Sequence, residues 1–513
     1  MKAKLSCIQA ECHVEQKKRG MAMRGTEMSR RFDSTKLPSR EQVWSWQRRV
    51  DGYGPRLTGN AAHRQMIDEL EAELKQMGLQ TYRDRHHFTK WEAKQWRLSV
   101  LAEGDREEEV PVSFYYPYSG STPAEGITGE LVYCGKGPGR FRDAAGKIAV
   151  VEVSSPRLPS ALFCKRRASD PVHERIPRIL SNSVISSVLR GPKLEQAAAA
   201  GVLGVICIWR DLSEANARAQ YLPFTTGPQQ CPALWVGKEA GSRLKQLAKQ
   251  GARARLLLEA DSEERAESDT LYAVLPGRNE QETVIINTHT DGPNACEENG
   301  AVGLLAMAGY FSSLPLAERG RSMVFVFVTG HFQIPQFGIH GQATTRWLHD
   351  HPELWDGKEG HARAVAGLTL EHLGCLEWKD HQEGAKVAYQ ATGRLEMELV
   401  YTGNPMMDEL YREALEGRTK VRSITLRPKS TIYFGEGQPL YMAGIPTVSL
   451  IPAPDYLCAT GEAGGLDKLD AEFMYEQIMT FVKLALAVDA TPVERLGKTQ
   501  APAKGMIGLL VKE

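Results

Sequence analysis

The stretch "THTDGPNACEENGAVGLL" (residues 288–305) decides the fold. It follows the apolar, β-branched run "ETVIIN" and leads into residues with helical apolar spacing. A short continuous run of this kind reads as a strand buried on both faces. His289, Asp291, Glu297 and Glu298 therefore fall in the loop between a strand's carboxyl end and the next helix. In an open α/β sheet that is where ligands bind.

The same texture repeats down the chain. "RSMVFVFVTG" ends just before His331 and is followed by the helical "GQATTRWLHDHP". "AVAGLTLEH" delivers Glu371 and His372, and "GIPTVSLI" precedes a last helix, "DAEFMYEQIMTFVKLALAVD". Strands alternating with helices predict an α/β class with a mostly parallel mixed sheet flanked by helices. Upstream, "SREQVWSWQRRVDGYGPRLTGNAAHRQMIDELEAELKQMGLQ" reads as two helices around a Gly/Pro turn. Between them and the α/β part, "GELVYCG", "GKIAVVEV", "GVLGVICIW", "PALWVG" and "ARARLLLEA" are short β-type runs. The expected organisation is an α/β domain over 39–127 and 265–490, a β-rich inserted domain over 128–264, a disordered segment over 1–38 and a loose tail over 491–513.

Lys plus Arg and Asp plus Glu number 63 each, so no global field draws the chain to nucleic acid or an anionic membrane. No run reaches the roughly 18 apolar residues of a membrane span. The nine cysteines show no paired spacing, which fits a reducing compartment and a cytoplasmic location. Cys296 lies close to His289, but its acidic neighbours raise its pKa and argue against a reactive thiol. "KRR" at Lys165, Arg166 and Arg167 reads as a solvated loop.

Histidines and several carboxylates converging on one sheet edge are the ligand types that zinc takes. Asp291, two residues after His289, is placed to orient its imidazole. Each residue alone has a plain structural reading: a histidine at a strand end forms a hydrogen bond, and Glu297 or Glu298 favours a helix N-terminus. Their convergence favours a site.

These motifs resemble the di-zinc aminopeptidases of the bacterial leucine aminopeptidase type, a family that also holds glutamate carboxypeptidases and glutaminyl cyclases. "INTHTDGPNACEENGAVGLLAMAGYF" is similar to the family's first zinc-ligand segment and "EGQPLYMAGIPTVSL" to its last. "GELVYCGKGPGRFRDAAGKIAVVEV", "AAAAGVLGVICI" and "CPALWVG" resemble an inserted protease-associated domain. The resemblance implies that His289 and Asp291 are the HxD pair, Glu298 the bridging carboxylate and Glu371 the third-strand ligand. It also marks departures. The family's Glu-Glu pair, which carries the general base, has no counterpart, since no acidic residue lies between Arg321 and His349. The last ligand, a histidine, falls on Gly437, and no histidine follows His381.

An intact di-zinc centre is thus not expected. The leading expectation is a metal-dependent hydrolase of an amide or peptide-like substrate with a rebuilt site and one zinc or other divalent ion. Its ligands are His289, Glu298 and Glu371, and its catalytic residues are His331, Glu297, His372 and Asp291. Glu436, Gln438 and Asp467 are expected to line the cleft. Two alternatives stay open: an inactive protein that binds a peptide or small ligand, and a metal-free acid/base enzyme using His331 with a carboxylate.

Overall fold

The computed structural model describes residues 32–101, 106–162, 164–333, 342–384, 386–428 and 433–499. The expectation of disorder over 1–31 and of a loose tail beyond 499 lies outside the described residues. Residues 32–37, expected to be disordered, instead carry a short 3-10 turn at Ser34–Lys36 and bury Leu37. At the other end Leu496 is fully buried in a turn of helix. Among the described residues no helix is long and apolar enough to cross a membrane.

Thirteen strands carry the description: β1 (Gln80–Leu101), β2 (Ile127–Lys136), β3 (Ile148–Val153), β4 (Cys164–Asp170), β5 (Gly204–Trp209), β6 (Ala233–Val236), β7 (Arg253–Leu275), β8 (Asn279–His289), β9 (Arg321–Val328), β10 (Arg363–Leu370), β11 (Glu398–Thr402), β12 (Ser423–Pro428) and β13 (Thr447–Leu450). The functional half of the sheet runs β7-β9-β8-β10-β13-β11-β12-β4. Its centre, β9-β8-β10-β13, is parallel throughout. The apolar runs explain this: β9 is buried at every position and β8 from Val284 to His289, as strands covered by helices on both faces must be.

Helices α1 (Arg40–Gly52), α2 (Ala61–Gln76), α3 (Gly300–Ser312) and α4 (Ala471–Ala490) pack with these strands into one core. Side-chain caps start three of them, Ser39 on α1, Asn60 on α2 and Asp470 on α4, where unpaired N–H groups need an acceptor. Helix α3 is buried on nearly every face. Each fully buried leucine there, such as Leu304, contributes about 2 kcal/mol of transfer free energy.

A second core is built on β2, β3, β5 and β6, and it also takes in Trp91, Leu98 and Phe114 from upstream. The two cores are joined by a ribbon, because β1 pairs antiparallel with β7 along nearly its whole length. The ribbon carries register shifts at Phe88/Lys90 and Ala93/Gln95. One excursion from the second core returns to the first. Strand β4, which contains Lys165–Arg167, pairs antiparallel with β12 and closes the sheet edge. This corrects the reading of "KRR" as a loop: basic side chains suit an edge strand, where they deter further pairing.

Candidate active site

Parallel strands put their carboxyl ends on one edge of the sheet, and that edge gathers residues far apart in sequence. β8 ends at His289, β9 ends three residues before His331, and β10 ends directly before Glu371 and His372. Glu297 and Glu298 stand at the entry to α3, and Glu436 precedes the short helix Gly437–Met442. All are buried: His289, Glu298, Glu371 and Glu436 are 0 % exposed, Glu297 1 %, His372 3 % and His331 7 %.

Two imidazoles are held through Nδ1. His289 Nδ1 lies 2.9 Å from the Asp291 carbonyl oxygen, and His372 Nδ1 lies 2.6 Å from that of Pro452. A carbonyl only accepts, so each Nδ1 carries a proton and each Nε2 is the nitrogen left to face the site. His289 Nε2 has no hydrogen-bond partner, while His372 Nε2 and Glu297 Oε2 face each other. One ligand atom from each of His289, Glu297 and His372 falls within 4.8 Å of the others. Glu297 Oε2 and His372 Nε2 are 3.1 Å apart, a spacing at which two lone pairs need a proton or a cation between them. Burial pushes the His372 imidazole down, but Glu297 and Glu371 outweigh it and take it up to about 9. His289 is driven well below its ordinary value by burial and by its histidine neighbours. His372 itself takes φ 56, a left-handed conformation that a β-carbon makes costly.

Beside the triad, His331 stacks on His289 with ring centroids 4.1 Å apart. Its Nδ1 is 2.6 Å from Glu436 Oε1. Burial lowers the affinity of His331 for a proton, yet Glu436 more than compensates and raises it to about 9. The other Glu436 oxygen accepts from the Thr344 amide at 2.8 Å, so the carboxylate is held at both ends.

The structure gives the remaining predicted residues different surroundings. Glu298, expected among the ligands, turns from the triad to an ion pair with Arg56, and both side chains are buried. Arg56 also donates to the carbonyls of Gly54 and Asn294. Glu371, the other carboxylate expected to ligate, accepts from the Glu436 amide at 2.7 Å, while its Oε2 sits 4.0 Å from His372 Nε2. Burial pushes it up to about 7. Gly435, at φ 80, is required beside it: a Cβ there would stand 2.6 Å from Glu371 Oε2.

Asp291 orients His289 through its backbone carbonyl, not its carboxylate. The carboxylate instead accepts from the amides of Gly330, His331 and Phe332 at 3.2, 3.2 and 2.9 Å, and from Thr58 Oγ1 at 2.6 Å. It thereby fixes the turn that delivers His331. Gln438 is half-buried and accepts from Gln342 at 3.2 Å. Asp467 pairs with Lys468 at 2.8 Å and lines a cleft of about 500 Å³ over Arg56 and Asn294, rather than the triad.

Three contributors went unread in the sequence. Asn294 accepts from the Cys296 and Glu297 amides at 2.9 and 3.0 Å and holds the ligand-bearing turn. The "GPN" turn signal was there to find it. Arg56 and Thr58 lie more than 200 residues from their partners, and no local pattern announces them.

The architecture is similar to that of a zinc aminopeptidase from Bacillus subtilis, with a TM-score of 0.59 at 16% identity over 89% of this chain and 98% of that one. The fold is that of the zinc aminopeptidases. A peptidase M28 precursor from Shewanella amazonensis gives the same TM-score, 0.59, at 16% identity over 88% of this chain and 97% of that one. An aminopeptidase from Aneurinibacillus sp. strain AM-1 gives 0.56 at 17% identity, over 89% and 95%. No protein-family model and no curated protein matches the chain by sequence. On this zinc aminopeptidase fold, Gly437 leaves no room for a larger side chain. A Cβ there would lie 2.6 Å from Ser449 Oγ and 2.9 Å from Thr369 Oγ1.

Proposed function

We propose that the protein is a metal-dependent hydrolase of an amide or peptide-like substrate, working with a single divalent cation, zinc by ligand type. His289, Glu297 and His372 would hold it. The observation that carries this is the set of buried ligand atoms facing one another, two on imidazoles whose Nδ1 atoms are already held by carbonyls. Two histidines and a glutamate with an open position are a familiar catalytic zinc set. A single ion is favoured because Arg56 neutralises Glu298 and the Gly437 position is packed.

Bound there, a divalent ion supplies polarisation of the scissile carbonyl and a more acidic water. The chain's own groups supply the rest. Glu436 holds His331 by Nδ1, which leaves Nε2 to take a proton from the attacking water and return it to the leaving amine. A divalent charge next to the stacked His289 favours the neutral form of His331 that this role needs. Asp291 keeps the His331 turn in register with the ligands. Glu371, with a pKa near 7, can donate a hydrogen bond when protonated.

The test is turnover of aminoacyl anilides of varied side chain, with and without prior chelation. His331→Ala should retain metal and lower kcat by about 100- to 10,000-fold. Activity that survives exhaustive chelation would move the reading to metal-free acid/base chemistry by the His331–Glu436 pair. Tight binding of peptides without turnover in metal-loaded protein would move it to a binding protein.

A further inference from the structure

The wall of the site opposite the sheet comes from the second core. After the short helix Glu214–Ala217 the chain turns at Ala219, which takes φ 60, and runs across the site as far as Phe224. The Phe224 ring lies on His331 with centroids 5.6 Å apart and 25° between planes, and on Phe332 at 4.6 Å. Tyr221 packs on Phe332 at 5.9 Å. An aromatic face therefore covers the imidazole assigned the proton transfers, and Phe224 is itself only 8 % exposed.

This segment is firmly part of the second core. Tyr221 and Leu222 are buried there, and Trp235 Nε1 on β6 donates to the Leu222 carbonyl at 2.7 Å. Its hold on the first core is lighter and made at a few points. The Tyr221 amide donates to the Cys458 carbonyl at 2.7 Å and the Thr460 amide to that of Ala219 at 2.8 Å. Gln220 Nε2 donates to the Asp455 carbonyl at 3.0 Å. At the rim, Asp380 on the hairpin of strands Leu376–Glu383 and Lys386–Leu395 accepts from Ser213 and Asn216. The cores are otherwise joined through the β4 excursion, which stays paired with β12 on the first core, and through the β1/β7 ribbon, whose two register shifts at Phe88/Lys90 and Ala93/Gln95 interrupt the ladder between them. Bulges bend and twist a strand locally, which makes them suitable pivots.

We infer that the second core is a cap that swings on the ribbon bulges, and that Phe224 is its contribution to the substrate site. In the closed form Phe224 occupies the face of His331. Substrate enters when the Ala219, Gln220 and Tyr221 contacts to residues 455–460 part, and the cap then closes again over the bound substrate to exclude bulk solvent. The inference rests on the proposed site for its location, and opening itself is measurable without any metal or activity. A segment held by a few contacts, with β4 staying on β12 as a tether, opens at lower free energy than the cap's own β5 and β6 strands unfold.

Thiol labelling reads this directly. Cys458, whose carbonyl accepts from the Tyr221 amide, is buried, and Cys207 lies buried in β5 within the cap. Pulsed alkylation of native full-length protein with iodoacetamide, mapped by mass spectrometry, should modify Cys458 well before Cys207. Phe224→Ala should raise the Cys458 rate by about threefold to tenfold, as expected for loss of one aromatic pair, and leave Cys207 unchanged. Asp380→Asn, at the rim and away from the site, provides a second variant and should shift Cys458 in the same direction. Equal rates at the two cysteines, unmoved by either variant, would overturn the cap. Zinc loss to EDTA should accelerate in parallel with Cys458. Protein that holds no zinc would count against the metal site, while the thiol ratio would still decide the cap.

Discussion

The two sides of the turn at residues 294–298 treat neighbouring glutamates differently. Glu297 and Glu298 are adjacent and equally buried, yet Glu298 meets a guanidinium and Glu297 meets the imidazole nitrogens of His289 and His372. A buried carboxylate with a fixed, hydrogen-bonded counter-charge is complete and structural. One that faces two imidazole Nε2 atoms has only a titratable proton for a counter-charge, which a metal cation can replace. The counter-charge therefore separates the two, more than residue type or position in the motif.

The largest effects come from removing each carboxylate in turn. Glu297→Gln should weaken zinc binding by at least about 100-fold, beyond the usual cost of losing an outer-shell partner, and abolish turnover. Glu298→Gln should keep the metal. Competition with a chromogenic chelator measures both, and equal metal loss in the two variants would break the contrast. On the other side of the turn, Arg56→Met leaves Glu298 buried and unpaired. It should destabilise the fold by about 3–5 kcal/mol in urea denaturation, with the Arg56→Met/Glu298→Leu double variant recovering most of the loss.

A smaller effect separates His63 from the site histidines. Burial pushes His63 down to about 4 despite the nearby Asp291, and its Nε2 bonds Thr290 Oγ1 at 2.8 Å. The folded state refuses a proton that the unfolded chain accepts near pH 6.5. This contribution is therefore complete above that value and is lost as pH falls toward 4, by roughly 3 kcal/mol at most. His63→Gln should flatten the fall in stability between pH 7 and pH 5. An unchanged pH slope would show that His63 binds its proton equally in the folded and unfolded chain. Smallest is Thr58→Val, which removes one hydrogen bond to the Asp291 carboxylate and should cost about 2 kcal/mol.

The fold was legible because its signals are local and repeated. Continuous β-branched runs marked β8, β9, β10 and β13, and the residues just after or at their ends were the right ones to inspect. The choice among carboxylates was not legible. From sequence, Glu298 is the family-like ligand. Arg56, which claims it, lies 242 residues upstream on another element, and only the folded chain brings the two together. Asp291 was identified as an orienting residue, but its carboxylate acts on the His331 turn rather than on the His289 ring. Phe224 was invisible for the same reason as Arg56: nothing near it in sequence refers to the site it covers. The "KRR" strand was missed because its partner β12 lies more than 250 residues downstream.

The most direct test of the account is the metal content of the purified full-length protein and of its His289→Ala variant, by elemental analysis after exposure to zinc and removal of excess. The account predicts one zinc per chain in the parent and a large loss in the variant, with Glu298→Gln unchanged. Two zinc ions per chain, or none in a folded parent protein, would contradict it.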